Sequence, residues 1–227
     1  MLLWLCITHG ARNCLHDGFN LYYRALRPSP HKWLNISALS RAALASAQFV
    51  AINYYTARVS GRIDPDAPRR QHAYLRALGT LPDVAIHFGK FMTNKKWSGL
   101  VMPGPSFKPA PQTLNINPAP VVALVWKTEE KGSDVNLGVH LVRDGFLGKF
   151  DEAAILTNDT DLCEPMRIVR DDVGLPITLL TPVPVPHASL QGVATHVRHV
   201  APYLGPCQFP NPIIDAKGVR ISKPVSW

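Results

Sequence analysis

Short apolar runs that alternate with helix-patterned segments limit most strongly what this chain can fold into. Gln48 to Val59 is rich in β-branched and aromatic residues and reads as a strand. Arg69 to Leu81 has helical spacing, with Ala73, Leu75, Ala77 and Leu78 on a buried side, and Val84 to Phe88 is a short buried strand. Val121 to Trp126 reads as a third buried strand. Ser133 then suits the N-cap of a helix running to about Phe146, with Leu137, Leu141 and Val142 turned inward. Ala153 to Thr157 is a strand entering the acidic run Asn158-Asp159-Thr160-Asp161. A helix with Pro165 in its first turn ends near Gly174, Ile177 to Leu180 is the next strand, and Ser189 to Val200 is the last helix. Such alternation predicts a three-layer α/β/α arrangement around a central, mainly parallel sheet covered on both faces.

Two segments interrupt this pattern. Residues 90–120 read as a loop insertion, because prolines at 103, 105, 109, 111, 118 and 120 defeat regular structure. Pro182, Pro184 and Pro186 mark a shorter break, and residues 206–227 read as a tail wrapping the surface. A length of 227 residues, 46% hydrophobic, suits a single domain over 1–227 with a sizeable core. No apolar run approaches the 18 or so residues of a membrane span. Cys6, Cys14, Cys163 and Cys207 show no C-x-x-C spacing, and Met1 to Ile7 lacks the basic region and cleavage site of a secretory signal. The reading is a reduced, cytoplasmic protein.

Net charge is +8, but its placement says more. Residues 58–108 hold nine bases against three acids, whereas residues 127–172 hold eleven acids against six bases. Two solvated faces of opposite sign would account for this; so would an acidic pocket holding a cation, flanked by a basic surface holding a polyanion. In an open parallel sheet, ligands sit beyond the carboxyl ends of the strands. Asp17, Asp134, Asp159 and Asp161 all fall at element ends that such a fold gathers there. Two carboxylates about 4 Å apart, at an effective dielectric near 20, repel by roughly 4 kcal/mol. Protonation or a divalent cation relieves that repulsion, and Mg²⁺ or Mn²⁺ suits an all-oxygen site.

Three blocks carry a resemblance. Asp17-Gly18-Phe19-Asn20, the stretch Lys127-Thr128-Glu129-Glu130-Lys131-Gly132-Ser133-Asp134-Val135-Asn136-Leu137, and Thr157-Asn158-Asp159-Thr160-Asp161-Leu162 resemble the signature blocks of NYN-domain proteins, in the PIN-like group of metal-dependent ribonucleases. Tyr54 to Phe88, with Asp64-Pro65-Asp66-Ala67-Pro68, and the closing Lys223-Pro224-Val225-Ser226-Trp227 resemble the bacterial branch, so the likeness covers most of the chain. The resemblance implies a PIN-like fold and hydrolysis of RNA, single-stranded for preference, by metal-activated water. It implies that Asp17, Asp134, Asp159 and Asp161 hold Mg²⁺ or Mn²⁺, and that Asn20 orients Asp17 or the scissile phosphate.

Other residues are read beside that set. Ser133 and the amides near it would bind a phosphate oxygen or simply cap a helix. Lys127 is assigned to balancing Glu129 and Glu130, and Lys131 to substrate; Arg58, Arg62, Arg69 and Arg70 are the candidates for gripping RNA phosphates. Tyr22, Tyr23, Tyr54 and Tyr55 would stack on bases or be half-buried core. The nine histidines form no H-x-E or H-E-x-x-H, and neither a P-loop, a G-x-G-x-x-G nor a G-x-S-x-G is present. Arg12-Asn13-Cys14-Leu15-His16 is polar for a central strand, so the first strand is expected to form poorly and residues 1–11 to be an extension. The sequence thus reads as a cytoplasmic Mg²⁺- or Mn²⁺-dependent ribonuclease, with a non-catalytic RNA-binding module as the rival; a phosphomonoesterase is disfavoured because the Asp-x-Asp lies late, at 159–161.

Overall fold

The computed structural model describes residues 10–45, 48–61, 64–100 and 121–227. Its first strand, β1 (Ala11–Asp17), is buried along almost its whole length. That corrects the expectation of a poorly formed strand, and the reason is that its polar side chains have partners on neighbouring elements. Arg12 Nε pairs with Glu152 Oε2 at 2.6 Å, Asn13 Oδ1 accepts from Asn53 Nδ2 at 2.8 Å, and His16 Nε2 lies 2.8 Å from Ser40 Oγ. A buried polar group that keeps its hydrogen bond costs little. Ala11 and Gly10 belong to the fold rather than to an extension, since both amides donate to Asp151 Oδ2; residues 1–9 lie outside the described ones.

From β1 the chain turns into α1 (Gly18–Leu21), which continues as a wider π turn over Tyr22–Leu26. There follow α2 (Ile36–Ala43), β2 (Gln48–Thr56), α3 (Ala67–Leu78) and β3 (Val84–Phe88). β4 (Lys90–Gly99) and β5 (Val122–Lys131) form a separate antiparallel ribbon. α4 (Ser133–Phe146) and β6 (Glu152–Leu156) return to the body of the protein. A 3₁₀ turn (Thr160–Leu162) leads into α5 (Cys163–Arg167), which ends in a π turn over Ile168–Asp172. β7 (Ile177–Thr181), α6 (Ala188–Val193), β8 (His196–His199) and α7 (Ala201–Leu204) complete the main body, and a small hairpin of β9 (Ile213–Ile214) and β10 (Arg220–Ile221) lies in the tail.

Six strands build one parallel sheet in the order β3-β2-β1-β6-β7-β8. Because side chains alternate across a strand, neighbouring residues feed two different cores. Cys14, Ile52, Tyr54, Ala154, Leu156 and Leu180 face the core shared with α1, α2, α3 and α7. Leu15, Tyr55, Ala153, Ile155, Ile177 and Leu179 face the one shared with α4, α5 and α6. This is the three-layer α/β/α fold that the alternation predicts. Leu137 and Leu141, both fully buried, seat α4 on the sheet, each contributing roughly 1.5–3 kcal/mol of burial.

Four local expectations differ from the structure. Residues 90–99 are strand rather than loop, since β4 pairs along its whole length with β5; the prolines at 103–120 lie outside the described residues. Val121 to Trp126 is not a buried strand: it enters the ribbon, where Leu124 and Trp126 are exposed. Gly132, at φ 96°, takes the N-cap position expected of Ser133, because a left-handed turn there suits a residue without Cβ. The last helix stops at Val193, and His196–His199 instead pairs with β7 as an edge strand, in keeping with its β-branched Val197. The tail packs onto the core: Phe209, Ile213 and Ile221 are buried, Trp33 Nε1 donates to Pro210 O at 3.1 Å, and the Trp227 ring lies 5.9 Å from that of Tyr74.

His16 carries a cost that can be measured. Ser40 Oγ donates to Ile36 O at 2.8 Å, so His16 Nε2 is the donor to Ser40 and the buried Nδ1 is left without a partner. Burial lowers the imidazole pKa from 6.5 to about 4. A depressed pKa on a base means stability that is present above pH 6.5 and lost as pH falls toward 4. His16→Leu should therefore flatten the acid limb of the Tm-against-pH curve between those values and change Tm little at pH 8; an unchanged limb would show that other groups set it.

Candidate functional site

The strand order reverses direction between β1 and β6, and ligands of open α/β sheets bind beyond the carboxyl ends of the strands at that switch point. Asp17 ends β1 there, and the parallel register that pairs His16 with Leu156 sets Thr157 beside it. Asp17 is 2% exposed. Its Oδ1 accepts from Asn20 N and its Oδ2 from the Thr157 hydroxyl, each at 2.9 Å. Thr157 Oγ1 in turn accepts from Asp159 N at 3.0 Å, and Asn20 Oδ1 accepts from Asn158 N at 3.2 Å. One buried carboxylate thus ties the start of α1 to the loop after β6.

Around it lies a cleft of about 310 Å³ lined by Asp17, Asn20, Glu130, Asp134 and Asp159, with Phe19, Tyr23 and Phe91 as its apolar wall. The base of the ribbon supplies Phe91 and Glu130, which face each other across the β4–β5 ladder. Glu130 Oε1 accepts from Ser133 N at 3.1 Å, and a Cβ at Gly89 would lie 2.7 Å from both Lys131 O and Ser133 N, so a glycine is needed where the chain leaving β3 passes that backbone. Burial raises the Asp17 carboxyl, against the two hydrogen bonds it accepts, and Asp159 adds to the rise. Asp134 is pushed from 3.8 to about 7, first by burial and then by the charges of Asp17, Asp159 and Glu130.

Behind the apolar wall is a second, larger cavity of about 500 Å³, which shares Phe19, Tyr23 and Phe91 with the cleft. Tyr22, Tyr54, Tyr74 and Trp227 add aromatic faces, and Arg27, Lys32, Arg70 and Asp64 are its charged residues. Gly18 makes this possible: a Cβ there would lie 2.6 Å from Tyr54 Cζ and 2.7 Å from Tyr55 O. Burial and then the charge of Asp17 raise the Tyr54 phenol.

Of the residues expected at the site, Asp17, Asn20, Asp134 and Asp159 come together. Asp161 does not line the cleft; it is exposed, and its amide donates to Asp159 Oδ1 at 3.0 Å, which closes the 3₁₀ turn. Ser133 is buried, with its amide bound to Glu130 and its hydroxyl 3.5 Å from Asp134 Oδ1, so it is not placed to take a phosphate. Lys131 pairs with Glu129 at 3.2 Å, and Lys127 pairs with the same carboxylate, so both take the balancing role. The arginines do not form one grip. Arg58 lies 4.9 Å over the Phe88 ring, Arg70 is paired with Asp64, Arg69 is exposed on α3, and Arg62 lies outside the described residues. Tyr54 and Tyr55 are buried core residues, and Tyr54 lines the cavity together with Tyr22 and Tyr23. Among the described residues no three His, Cys, Asp or Glu side chains are gathered closely enough to hold a metal ion, so the four-aspartate ligand set is not assembled.

Glu130, Thr157, Phe19 and Phe91 line or support the cleft, a role the sequence reading gives to none of them. Thr157 and Phe19 lie within the blocks quoted for the resemblance and could have been found there. Glu130 and Phe91 meet only through ribbon pairing across a proline-rich stretch, for which the sequence carries no local signal.

Fold and site define a three-layer α/β/α protein with an acid-lined cleft at the switch point of a parallel sheet. A solved protein of unknown function from Vibrio parahaemolyticus RIMD 2210633 has the same overall fold, with a TM-score of 0.50 at 14% identity, covering 85% of this chain and 95% of that one. No family model matches the chain, so the likeness to NYN-domain proteins stays a resemblance. In sequence the chain is similar to 6-hydroxy-3-succinoylpyridine 3-monooxygenase HspA of Pseudomonas putida, 28% identical over 237 aligned positions, which cover 93% of this chain and 73% of the relative. That relative overturns the ribonuclease expectation: its name points to oxidoreductase-type chemistry rather than to hydrolysis of phosphodiesters. The coarser expectation, an enzyme, is the part that the relative's name supports. No helix among the described residues is long and apolar enough to cross a membrane.

The raised Asp134 carboxyl fixes a sign. A carboxyl whose folded pKa exceeds its unfolded value contributes stability that is present below about pH 4 and is lost as pH rises toward 7. Asp134→Asn should melt a few degrees above the wild type at pH 8, and the two curves should meet near pH 4. A constant offset across that range would show that the carboxylate is not held against its charge.

Proposed function

We propose that the chain is an oxidoreductase-type enzyme that oxygenates a small aromatic compound, with the ring in the aromatic cavity and its reacting edge at the acid cleft. The observation that carries this reading is the shared wall of Phe19, Tyr23 and Phe91, which sets an aromatic-lined space against a cluster of carboxylates. The relative's name supports the class of reaction, since its substrate is a hydroxylated pyridine. Small-molecule sites of this kind combine mostly apolar walls with a few convergent polar groups.

A monooxygenation places one atom of O₂ in the substrate and reduces the other to water, with two electrons and two protons from a supplied reductant. The residues here serve the proton and the ring. A ring hydroxyl that loses its proton makes the ring more electron-rich and more reactive toward an oxygen electrophile. Asp134, with a carboxyl pKa of about 7, is poised to take that proton near neutral pH. Asp17 holds the geometry, fixed by Asn20 and Thr157 and shielded from water.

The test is oxygen uptake by the purified protein with 6-hydroxy-3-succinoylpyridine and a supplied NADH–flavin reductant, with ¹⁸O₂ tracing the product. Substrate-dependent uptake with ¹⁸O in the product is expected, rising with pH through about 7 and falling about 100-fold or more in Asp134→Asn. Reductant oxidation with no substrate-dependent uptake and no label would end this reading.

A divalent cation, Mg²⁺ or Mn²⁺, is a further proposal for the cleft, where it would offset the repulsion among Asp17, Asp134 and Asp159. Side-chain rotation would have to draw these carboxylates together, and no step above is routed through the ion. Under this proposal either ion raises Tm by linkage in the wild type and not in Asp134→Asn/Asp159→Asn. Equal Tm with the ion and with EDTA would remove it.

A further inference from the structure

Among the described residues three tyrosines are buried: Tyr54 and Tyr55 on β2, and Tyr74 on α3. A buried phenol ordinarily finds a partner for its hydroxyl. Tyr74 donates to Leu34 O at 2.9 Å, and the Tyr55 hydroxyl lies 3.0 Å from His140 Nδ1. Tyr54 is 5% exposed, yet its hydroxyl forms no hydrogen bond among the described residues. Nor is that oxygen sealed in the core, since the enclosed side-chain atom left without a partner among the described residues is His16 Nδ1. Tyr54 lines the aromatic cavity, so its hydroxyl opens there.

Gly18 fixes where that hydroxyl sits. A Cβ on Gly18 would lie 2.6 Å from Tyr54 Cζ and 2.7 Å from Tyr54 Oη, so the tip of the phenol rests against the first residue of α1, immediately after Asp17. Phe19, Tyr22, Leu26 and Phe91 line the same space. Several other polar groups of the lining are already committed. The Gln71 amide donates to Ala57 O at 2.7 Å and accepts from Val59 N at 2.9 Å, Arg70 is paired with Asp64, and Thr128 Oγ1 lies 3.0 Å from Thr93 Oγ1. Burial and the charge of Asp17 raise the Tyr54 phenol, so it keeps its proton and meets the cavity as a donor. A buried donor without an acceptor lowers stability, and such a departure from full pairing is expected where a ligand supplies the acceptor.

We infer that Tyr54 is a specificity-determining residue of the cavity, whose hydroxyl donates a hydrogen bond to a neutral acceptor on the edge of a bound ring and holds that edge at Gly18. This rests on the reading of the cavity as the site of a ring. A site built to hydrogen-bond one atom rejects a ring of the same shape that lacks it, because the hydroxyl then stays unpaired. Tyr54 takes no part in the proton transfer assigned to Asp134, which lines the cleft and not the cavity.

Calorimetric titration of the full chain tests this with benzonitrile and ethynylbenzene, which share a shape while only the first carries an acceptor nitrogen. Benzonitrile should bind about five- to tenfold more tightly. Tyr54→Phe should remove that preference, leave ethynylbenzene binding unchanged, and melt at or above the wild-type Tm, because it deletes an unmet donor. The nitrile stretch of bound benzonitrile should differ between the wild type and Tyr54→Phe, a mark of the hydrogen bond itself. Equal binding of the two probes or a preference that survives in Tyr54→Phe would overturn the inference. So would a Tm several degrees below the wild type, by showing that the hydroxyl already serves the fold. Binding of neither probe would remove the cavity as a ring site and this inference with it. Preferred binding of the nitrile by a protein that consumes no oxygen would sink the oxygenase reading and leave this inference standing; labelled product formed equally by the wild type and Tyr54→Phe, with no preference between the probes, would do the reverse.

Discussion

The Asp17 carboxylate, buried at the end of the central strand between the Asn20 amide and the Thr157 hydroxyl, is the interaction on which the site depends. It is costly to bury, and it is tolerated because both oxygens are bonded. Those bonds join the two halves of the sheet where the strand order reverses, since Asn20 belongs to α1 and Thr157 to the loop after β6. The position of Asp159 follows, because its amide bonds the same threonine. The rise of the Asp134 carboxyl follows in part as well, because a fixed charge at Asp17 stands within its reach.

The same corner places the aromatic cavity. Gly18, immediately after Asp17, lets the Tyr54 phenol come against the backbone, and Phe19 then points at the wall shared by the two spaces. The ribbon closes this wall from the other side with Phe91 and adds Glu130 to the acids. The acid cleft and the aromatic cavity are thus separated by a few aromatic side chains. Acids at the carboxyl edge of a parallel sheet follow from the fold, and many unrelated reactions use that edge. Reading them as nuclease ligands transferred a reaction along with a scaffold, and the similarity to a monooxygenase corrects the reaction.

Much of this was legible in the residues. The alternation of strand and helix patterns gave the layers, and β3, α4 and β7 begin within a residue or so of their expected positions. Asp17, Asp134 and Asp159 were marked as element-end residues and Asn20 through the family resemblance, and these four line one cleft, whereas Asp161, marked with them, does not. What misled was polarity read without partners. Arg12, Asn13 and His16 look wrong for a central strand until Glu152, Asn53 and Ser40 are placed beside them. Lys131 and Ser133 look available for substrate until Glu129 and Glu130 take them.

Sequence alone determined the fold class and the edge at which a site must lie, because hydrophobic periodicity and strand-end chemistry are local properties of neighbouring residues. Tertiary structure decided which polar groups are free, which carboxyl is pushed toward neutrality, and that a ribbon rather than a loop walls the site. These depend on pairings across more than a hundred residues, such as Thr157 with Asp17. The energy of a charge is set by the groups that surround it in space rather than by those beside it in the chain.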